Sequence, residues 1–305
     1  MLLSAASVLS AGAQTLTTVK SFGALSQASG IWPRSRLTQG PDGTLYGTTS
    51  GGEGSLGGTV FKLQPDGTGF AVVKWFTNSG EGSLPYGGVV SSGNTLYGTT
   101  HTGGAWTNGT VFKVNTDGTG FAVLKHFTAD DGAEPTGSLA LSGGTLYGTT
   151  SQGGAGTVGT VFSLNTDGTG FALVKDFPPD LNDGASPVAG VFVSGATLYG
   201  TTSQGGTGSA GTVFTVNTDG TGFAVLKAFS GGLGDGANPV GGVVVSGNTV
   251  YGTTQGGGSG YQGLVFQVNT DGTGYASLLD FGGSNGESPA GDLVLSGTTL
   301  FGTTQ

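Results

Sequence analysis

The chain reads TLYGTTSQGGAGTVGTVFSLNTDGTGFALVKDF over residues 145–177, and variants of this stretch recur along its length. Its first motif, an aliphatic residue followed by an aromatic residue, Gly, Thr and Thr, occurs in six copies, whose aromatic residues are Tyr46, Tyr97, Tyr147, Tyr199, Tyr251 and Phe301. Copies about fifty residues apart are typical of proteins built from radially arranged or stacked β units. The repeat therefore predicts one repeat domain, although a length of 305 residues would by itself suggest two.

One repeat contains four short segments with the composition of β-strands. They cover residues 137–141, 145–150, 159–164 and 171–177 and are called segments A to D here. Asp167-Gly168, between β-branched and aromatic runs, is a strong hairpin signal. Four antiparallel strands joined in this way form a propeller blade. A β-solenoid would require parallel stacking without such hairpins, and a helical repeat would require a periodicity that the sequence lacks.

The repeats predict an all-β fold, a six-bladed β-propeller of four-stranded antiparallel blades. Five complete blades are expected near residues 33–76, 85–127, 135–177, 187–229 and 239–281. The sixth combines segments A and B at 289–305 with segments C and D at 5–22, so that strands from both ends of the chain close the ring in one blade. Residues 1–13 are either a signal peptide or a degenerate segment C of that blade, and residues 14–305 form the single propeller domain.

The composition limits the partners and the chemistry. The chain holds 18 acidic and 9 basic residues, which argues against nucleic acid or an anionic membrane surface as a partner. It has no cysteine, so it can form neither a disulfide nor a thiolate metal site. No stretch is apolar over the length that a membrane span requires. No cofactor is predicted.

Two charged positions recur with the repeat. Segment D carries a lysine at Lys20, Lys74, Lys125, Lys175 and Lys227. We expect these lysines to protect an exposed edge strand from aggregation. The loop before segment A carries an acidic residue in several copies, which we interpret as a local turn-former. The alternative is a ring of acidic D–A loops around a central cation.

Residues that depart from the repeat carry most of the functional information. Segment A contains charges only at Arg34, Arg36 and Asp292. Arg36 and Asp292 occupy equivalent positions in the first and last repeats. In a six-membered ring they would form an ion pair across the closing seam, near the axis. This pair would either lock the seam or contribute to a ligand site.

Further candidate ligand-binding residues lie in the loops that join D to A and B to C. They are Trp32, His101, Trp106, Asp131 and Glu134. In a propeller these loops share one face, and an exposed Trp beside carboxylates can hold a sugar or a peptide. With two histidines and no cysteine, nothing marks a nucleophile or a multi-His metal site. A non-enzymatic role is therefore favoured over catalysis.

The motifs LYGTTSxGG and GTVFxxNTDGTGF resemble the GloVer tandem repeat of bacterial choice-of-anchor proteins, and the resemblance runs from Leu16 to Gln305. It implies a secreted or cell-surface bacterial protein, and it brings no enzymatic residues with it. No sorting anchor, the element that follows the repeats in that family, is seen after Gln305. We therefore expect a stand-alone domain or a truncated chain.

These observations predict an extracellular binding or scaffolding module with a glycan or protein ligand on the face of the D–A and B–C loops. The first alternative is a structural surface or filament component that self-associates through its repetitive rim. The second alternative is a carbohydrate-active enzyme, because propellers can carry such sites.

Overall fold

The computed structural model describes residues 18–22, 30–52, 57–77 and 79–305. In these residues the fold is all-β, with 24 strands and no helix. Most strands belong to five four-stranded antiparallel sheets, one for each complete repeat. The predicted four-stranded antiparallel unit is therefore confirmed. Nowhere in the described chain is there a helix long and apolar enough to cross a membrane.

The strands follow the repeat along the chain. The first sheet consists of β1 (Thr38–Gln39), β2 (Leu45–Thr49), β3 (Thr59–Leu63) and β4 (Ala71–Trp75). The second consists of β5 (Val90–Ser92), β6 (Thr95–Thr100), β7 (Thr110–Asn115) and β8 (Ala122–His126). The third consists of β9 (Ala140–Ser142), β10 (Thr145–Thr150), β11 (Thr160–Asn165) and β12 (Ala172–Asp176).

The fourth sheet consists of β13 (Phe192–Ser194), β14 (Thr197–Thr202), β15 (Thr212–Asn217) and β16 (Ala224–Ala228). Two short strands, β17 (Gly236–Ala237) and β20 (Gly256–Gly257), pair with each other. The fifth sheet consists of β18 (Val244–Ser246), β19 (Thr249–Thr254), β21 (Leu264–Asn269) and β22 (Ala276–Asp280). The last pair is β23 (Val294–Ser296) and β24 (Thr299–Phe301).

Each four-stranded sheet runs from segment A to segment D, so strands that are adjacent in sequence are adjacent in space. In the third sheet the turn into β12 is closed by Asp167. Its Oδ1 accepts hydrogen bonds from the N (2.9 Å) and the Oγ1 (2.7 Å) of Thr169. The same two bonds recur in the other four complete repeats. The predicted role of this aspartate as a turn-former is confirmed.

The apolar core lies between consecutive sheets. Phe162 of β11 covers Gly148 of β10, where a Cβ atom would stand 2.5 Å from the phenyl ring, so only glycine fits. Phe127, the last residue of segment D of the preceding repeat, packs edge-on against Phe162 with ring centroids 5.1 Å apart. Both phenylalanines are fully buried. Each sheet therefore depends on its neighbour to bury its core, as repeat proteins do.

The N-terminal residues 18–22 contact the first sheet as a segment D would. The Nζ of Lys20 lies 4.3 Å from the centre of the Phe70 ring. One repeat further on, the Nζ of Lys74 lies 4.1 Å from the centre of the Phe121 ring. This N-terminal stretch therefore stands where the last strand of a preceding repeat would stand.

The sixth predicted blade is described only in part. The sheet of β23 and β24 has two strands, and no third strand pairs with it in the described part of the chain. Residues 5–10, the predicted segment C of this blade, lie outside the described residues, as do residues 1–13 as a whole. The number of six blades and the closure of the ring therefore stay predictions.

The expectation that the segment D lysines protect an exposed edge is wrong. The side chains are only 17–20% exposed in four copies, Lys74, Lys125, Lys175 and Lys227. The Nζ of Lys125 lies 2.5 Å from Asp131 Oδ2 and 4.0 Å from the centre of the Phe171 ring in the next repeat. Because segment D packs against the following sheet, these lysines join consecutive repeats.

Candidate ligand-binding face

The D–A and B–C loops form a belt of backbone hydrogen bonds on one side of the sheets. Within a repeat, the N of Ser83 donates to the O of Thr102 (2.7 Å). Between repeats, the N of Glu134 donates to the O of Asn108 (3.0 Å). Equivalent bonds join the loops of the later repeats. The prediction that these two sets of loops share one face is confirmed, and we call it the loop face.

The residue before the proline that opens each segment A has a left-handed backbone conformation. Its φ lies between 47° and 59° at Trp32, Leu84, Glu134, Ser186, Asn238 and Ser288. None of these residues is glycine, and the conformation recurs in all six repeats, so it belongs to the fold and marks no particular site. Two predicted site residues, Trp32 and Glu134, are thus placed by a backbone feature that every repeat shares.

Residues from the segments A of six repeats line two adjoining pockets, which share Arg36, Ser138, Gly190 and Asp292. The first pocket, called the mouth here, has a volume of about 120 Å³ and lies beside the D–A loops, because its lining residues directly follow them. The mouth is lined by the residues that follow the six prolines, Arg34, Tyr86, Thr136, Val188, Val240 and Ala290. The second pocket, called the inner cavity here, has a volume of about 230 Å³ and is lined by Arg36, Asp292, Ser138, Gly190 and Gly242 and by apolar residues that follow them in segment A. Equivalent positions of different repeats therefore converge on one space.

The predicted Arg36–Asp292 pair is present where the mouth meets the inner cavity. Arg36 Nε lies 3.9 Å from Asp292 Oδ2, and the side chains are 55% and 30% exposed. The other carboxylate oxygen, Oδ1, accepts a hydrogen bond from the N of Gly242 at 2.6 Å. The carboxylate is therefore held by the fifth repeat and only loosely engaged by the guanidinium. The pair brings the first repeat next to the last.

A row of contacts crosses the first three repeats on the loop face. Arg34 Cζ lies 5.3 Å from the centre of the Tyr86 ring. The Tyr86 ring lies 4.7 Å from the His101 ring, with 32° between their planes. His101 Nε2 is 4.0 Å from Glu134 Oε2, and Gln152 Nε2 donates a hydrogen bond of 2.6 Å to that same oxygen. We call these five residues the polar row.

The imidazole of His101 is neutral at pH 7. Burial lowers its pKa below the usual 6.5, and the Glu134 carboxylate raises it by less. The contact of 4.0 Å with Glu134 is also too long for a hydrogen bond, so it is not an ion pair at neutral pH. Nδ1 of His101 is buried and has no hydrogen-bond partner in the described part of the chain.

Large apolar side chains are exposed in the same loops. They are Trp32, Trp106, Leu181, Leu233 and Tyr261, which are 40–73% exposed. The two tryptophans were predicted as site residues, and both lie on the loop face without a described contact to the polar row. Their rings therefore add apolar surface beside the row.

Asp131 has a different position from the other predicted residues. Its carboxylate belongs to the ion pair with Lys125 between the second and third repeats. Burial raises the pKa of Asp131, but hydrogen bonds from Lys125 and Thr128 outweigh this effect and hold the pKa below its usual value. Carboxylates of three other D–A loops, Glu81, Asp183 and Asp235, are likewise 2.9, 2.5 and 3.1 Å from a segment D lysine. Within the residues that the structure describes, no three His, Asp or Glu side chains are grouped to hold a metal ion.

Two residues of the polar row, Tyr86 and Gln152, were not among the predicted site residues. Tyr86 follows a proline at a position where other repeats have Thr136, Val188, Val240 and Ala290. When the repeats are aligned on their prolines, Tyr86 is the one aromatic residue at this position, so it could have been recognised as a candidate site residue. Gln152 carried no such signal, because Gln204 occupies the same position in the next repeat.

Comparison with known proteins identifies the repeat and the fold. The family model described as the Gloeobacter/Verrucomicrobia repeat matches residues 8–157, 58–234 and 136–305. No curated protein is significantly similar to the chain.

Among solved structures, a nidogen/laminin complex matches at 14% identity and a TM-score of 0.57, over 85% of this chain and 83% of that chain. TolB from Acinetobacter baumannii matches at 14% identity and a TM-score of 0.50, over 79% of this chain and 52% of TolB. At such identities the likeness shows a β-propeller-like fold and nothing about a ligand.

Proposed function

Since this chain belongs to the Gloeobacter/Verrucomicrobia repeat family, we propose that it is a non-enzymatic binding module of the bacterial surface or exterior, with a glycan or peptide ligand on the loop face. The observation that carries the proposal is the asymmetry of the repeats. The polar row, the mouth and exposed aromatic side chains of the loops all lie on one face, whereas the recurring structural residues are shared by every repeat. Departures from the repeat concentrated on one face are typical of a binding surface.

We further propose the closed six-bladed ring as the frame of this face. In support, residues 18–22 contact the first sheet as a segment D, and Arg36 approaches Asp292 from the opposite end of the repeat array. A cavity of about 290 Å³ lies between the fifth repeat and β24, lined by Phe281, Leu300 and Gly302 among others. In complete repeats this space beside the segment B glycine is filled by a segment C phenylalanine, as Phe162 fills it beside Gly148. The proposed sixth blade places residues 5–22 there.

The ligand proposal is tested by screening glycans and peptides with the intact chain and with Trp106→Ala and His101→Ser. Serine is a conservative choice, because Ser50, Ser151 and Ser203 occupy the equivalent position. The matched control is Leu173→Ala, an exposed apolar side chain in β12, away from the loops. We expect binding that weakens in both loop variants and persists in the control. Absence of any glycan or peptide binding, or equal losses in all three variants, would contradict the proposal.

A structural, self-associating role is the second candidate, because β24 has no described strand on one side and exposes Phe301 (49%), next to Val294 (52%) of β23. If the chain's own N-terminal residues leave this edge unpaired, it can add a strand from another chain. Sedimentation distinguishes the two roles. We expect the binding module to sediment as a monomer of 29.8 kDa, whereas assembly through β24 would give larger species that Phe301→Lys disperses.

A further inference from the structure

We propose that the mouth binds a single carboxylate-bearing sugar, a uronic acid residue at the end of a glycan, with Arg34 and Arg36 on its carboxylate. This inference rests on the proposed binding function and specifies the ligand class for one part of the loop face. Three properties of the mouth support it: its positive charge, its small size, and its division into a polar and an apolar side.

The mouth holds a local excess of positive charge in a chain whose net charge is −9. Arg34 and Arg36 are two residues apart, on either side of a bend at Ser35. Both line the mouth, together with one carboxylate, that of Asp292. No other charged side chain is among the described residues that line it.

The two arginines differ from most other cations of the protein in their availability. Lys74, Lys125, Lys175 and Lys227 each lie 2.5–3.1 Å from a carboxylate of the next loop. Arg34 instead lies over the Tyr86 ring, and no carboxylate of the described residues is within 4.0 Å of it. Arg36 contacts Asp292 only through Nε at 3.9 Å and is 55% exposed.

This arrangement leaves guanidinium N–H groups that can take up an added carboxylate. A guanidinium and a carboxylate form two parallel hydrogen bonds, which makes arginine the side chain best suited to this group. Asp292 does not complete such a pair, because the N of Gly242 holds its Oδ1. An incoming carboxylate would therefore contact Arg34 and the free side of Arg36 without displacing Asp292.

The size and the walls of the mouth favour a sugar end group. Its volume of about 120 Å³ is below the roughly 300 Å³ at which pockets begin to hold whole drug-sized ligands, so only the end of a larger molecule enters. The residues after the prolines are polar in repeats one to three (Arg34, Tyr86, Thr136) and apolar in repeats four to six (Val188, Val240, Ala290). A pyranose ring has the same division, with hydroxyl groups at its rim and C–H groups on its faces.

The net charge of the protein restricts the ligand further. A chain with a net charge of −9 repels a polyanion at long range. The excess of about one positive charge at the mouth is confined to a small volume. The site therefore fits one uronic acid on an otherwise neutral glycan better than a polyuronate.

The test is calorimetric titration of the intact chain with methyl glucuronide, with methyl glucoside and with N-acetylalanine. The first two differ only in the carboxylate, and the third carries a carboxylate without a sugar. We expect the glucuronide to bind at least tenfold more tightly than either. Equal binding of the glucoside, equal or tighter binding of N-acetylalanine, or no binding of the glucuronide would each overturn the proposal.

Two variants and one control assign the binding to the mouth. Arg34→Gln should weaken glucuronide binding at least fivefold, and Lys113→Gln, with the same change of charge on β7, should leave it unchanged. Asp292→Asn, which keeps an oxygen for the N of Gly242, should strengthen it because a competing carboxylate is removed. Unchanged affinity in Arg34→Gln would contradict the site.

The result is separable from that of the loop-face screen. If the glucuronide fails while other glycans or peptides still depend on Trp106 and His101, the mouth assignment is wrong and the binding module stands. If no ligand binds anywhere on the loop face, the proposed function itself fails.

Discussion

At the residue scale, the recurring ion pair shows how a repeat couples its copies. Lys125 and Asp131 pair at 2.5 Å between the second and third repeats. At the end of the fifth repeat, Leu279 stands at the lysine position and Asn285 at the acidic one. Both members of the pair change together there, as expected if each charge needs the other when partly buried.

This covariation predicts a coupled effect of mutation. Asp131→Asn should reduce the free energy of unfolding by about 1–2 kcal/mol, because the Lys125 ammonium loses its charged partner. The double variant Lys125→Leu with Asp131→Asn reproduces the combination at Leu279 and Asn285 and should lose less than the sum of the single changes. Urea unfolding of the four proteins measures the coupling, and strictly additive losses would contradict the interpretation.

His101 gives a second prediction, for the pH dependence of stability. Because burial lowers its pKa in the folded protein, the unfolded chain binds the proton more readily. The stability that the neutral imidazole contributes is present above the usual pKa of 6.5 and is lost as the pH falls through the window below it. The melting temperature of the native chain should therefore fall more steeply between pH 7 and pH 5 than that of His101→Ser. Parallel curves would show that His101 is not responsible.

At the element scale, the tight pairing of sheets explains the motif that defines the repeat. The glycine of the Leu-Tyr-Gly-Thr-Thr motif lies under the segment C phenylalanine, with no room for a Cβ atom. The requirement comes from a strand partner and not from the backbone angle, because φ at Gly148 is not positive. The motif is therefore a packing signature of the sheet.

This packing predicts a difference between two glycines. Gly148→Ala should reduce the free energy of unfolding by about 1–3 kcal/mol through overpacking against Phe162. Gly282→Ala, in a loop where no atom lies within 4 Å of the added Cβ, should change it by less than about 0.5 kcal/mol. Thermal or urea unfolding compares the two. The double variant Gly148→Ala with Phe162→Leu should lose less stability than the sum of the two single variants, because the shorter leucine leaves room for the added methyl group. Similar losses for Gly148→Ala and Gly282→Ala would contradict the packing argument.

The strands and hairpins could be predicted from sequence because their determinants are local. Asp167 and its equivalents define the C–D turn, and alternating apolar residues define the strands beside it. The role of the segment D lysines was mispredicted because the rings that cover them, such as Phe171 over Lys125, come from the next repeat, which the sequence of one strand does not contain. The Arg36–Asp292 contact was predictable because the repeat alignment places both residues at the same position of segment A. Tyr86 was overlooked, and the exposure of Leu181, Leu233 and Tyr261 depends on loop conformations that local sequence does not specify.

At the scale of the whole molecule, the proposed ligand site depends on contact between the two ends of the repeat array. The mouth contains residues of the first and the last repeats, so the proposed ligand site exists only if the ring closes there. Pairing of N- and C-terminal strands in one blade would provide this closure and would leave no exposed blade face. In an open array Arg36 and Asp292 would be far apart, and the mouth would not form.

The most direct test is a distance measurement between spin labels on cysteines introduced at Ser21 and Thr299, in a chain that has no native cysteine. Segments B and D of one sheet are two strand spacings apart, and the two labelled positions are also about five residues apart along the strands, so their backbones are separated by roughly 19 Å, plus the length of the labels. The matched control is the pair Thr197 and Ala228, the equivalent positions in β14 and β16 of the fourth sheet. A closed ring predicts the same distance distribution for the pair Ser21 and Thr299 as for the control pair. A distribution for Ser21 and Thr299 centred well beyond that of the control pair would contradict the closed ring.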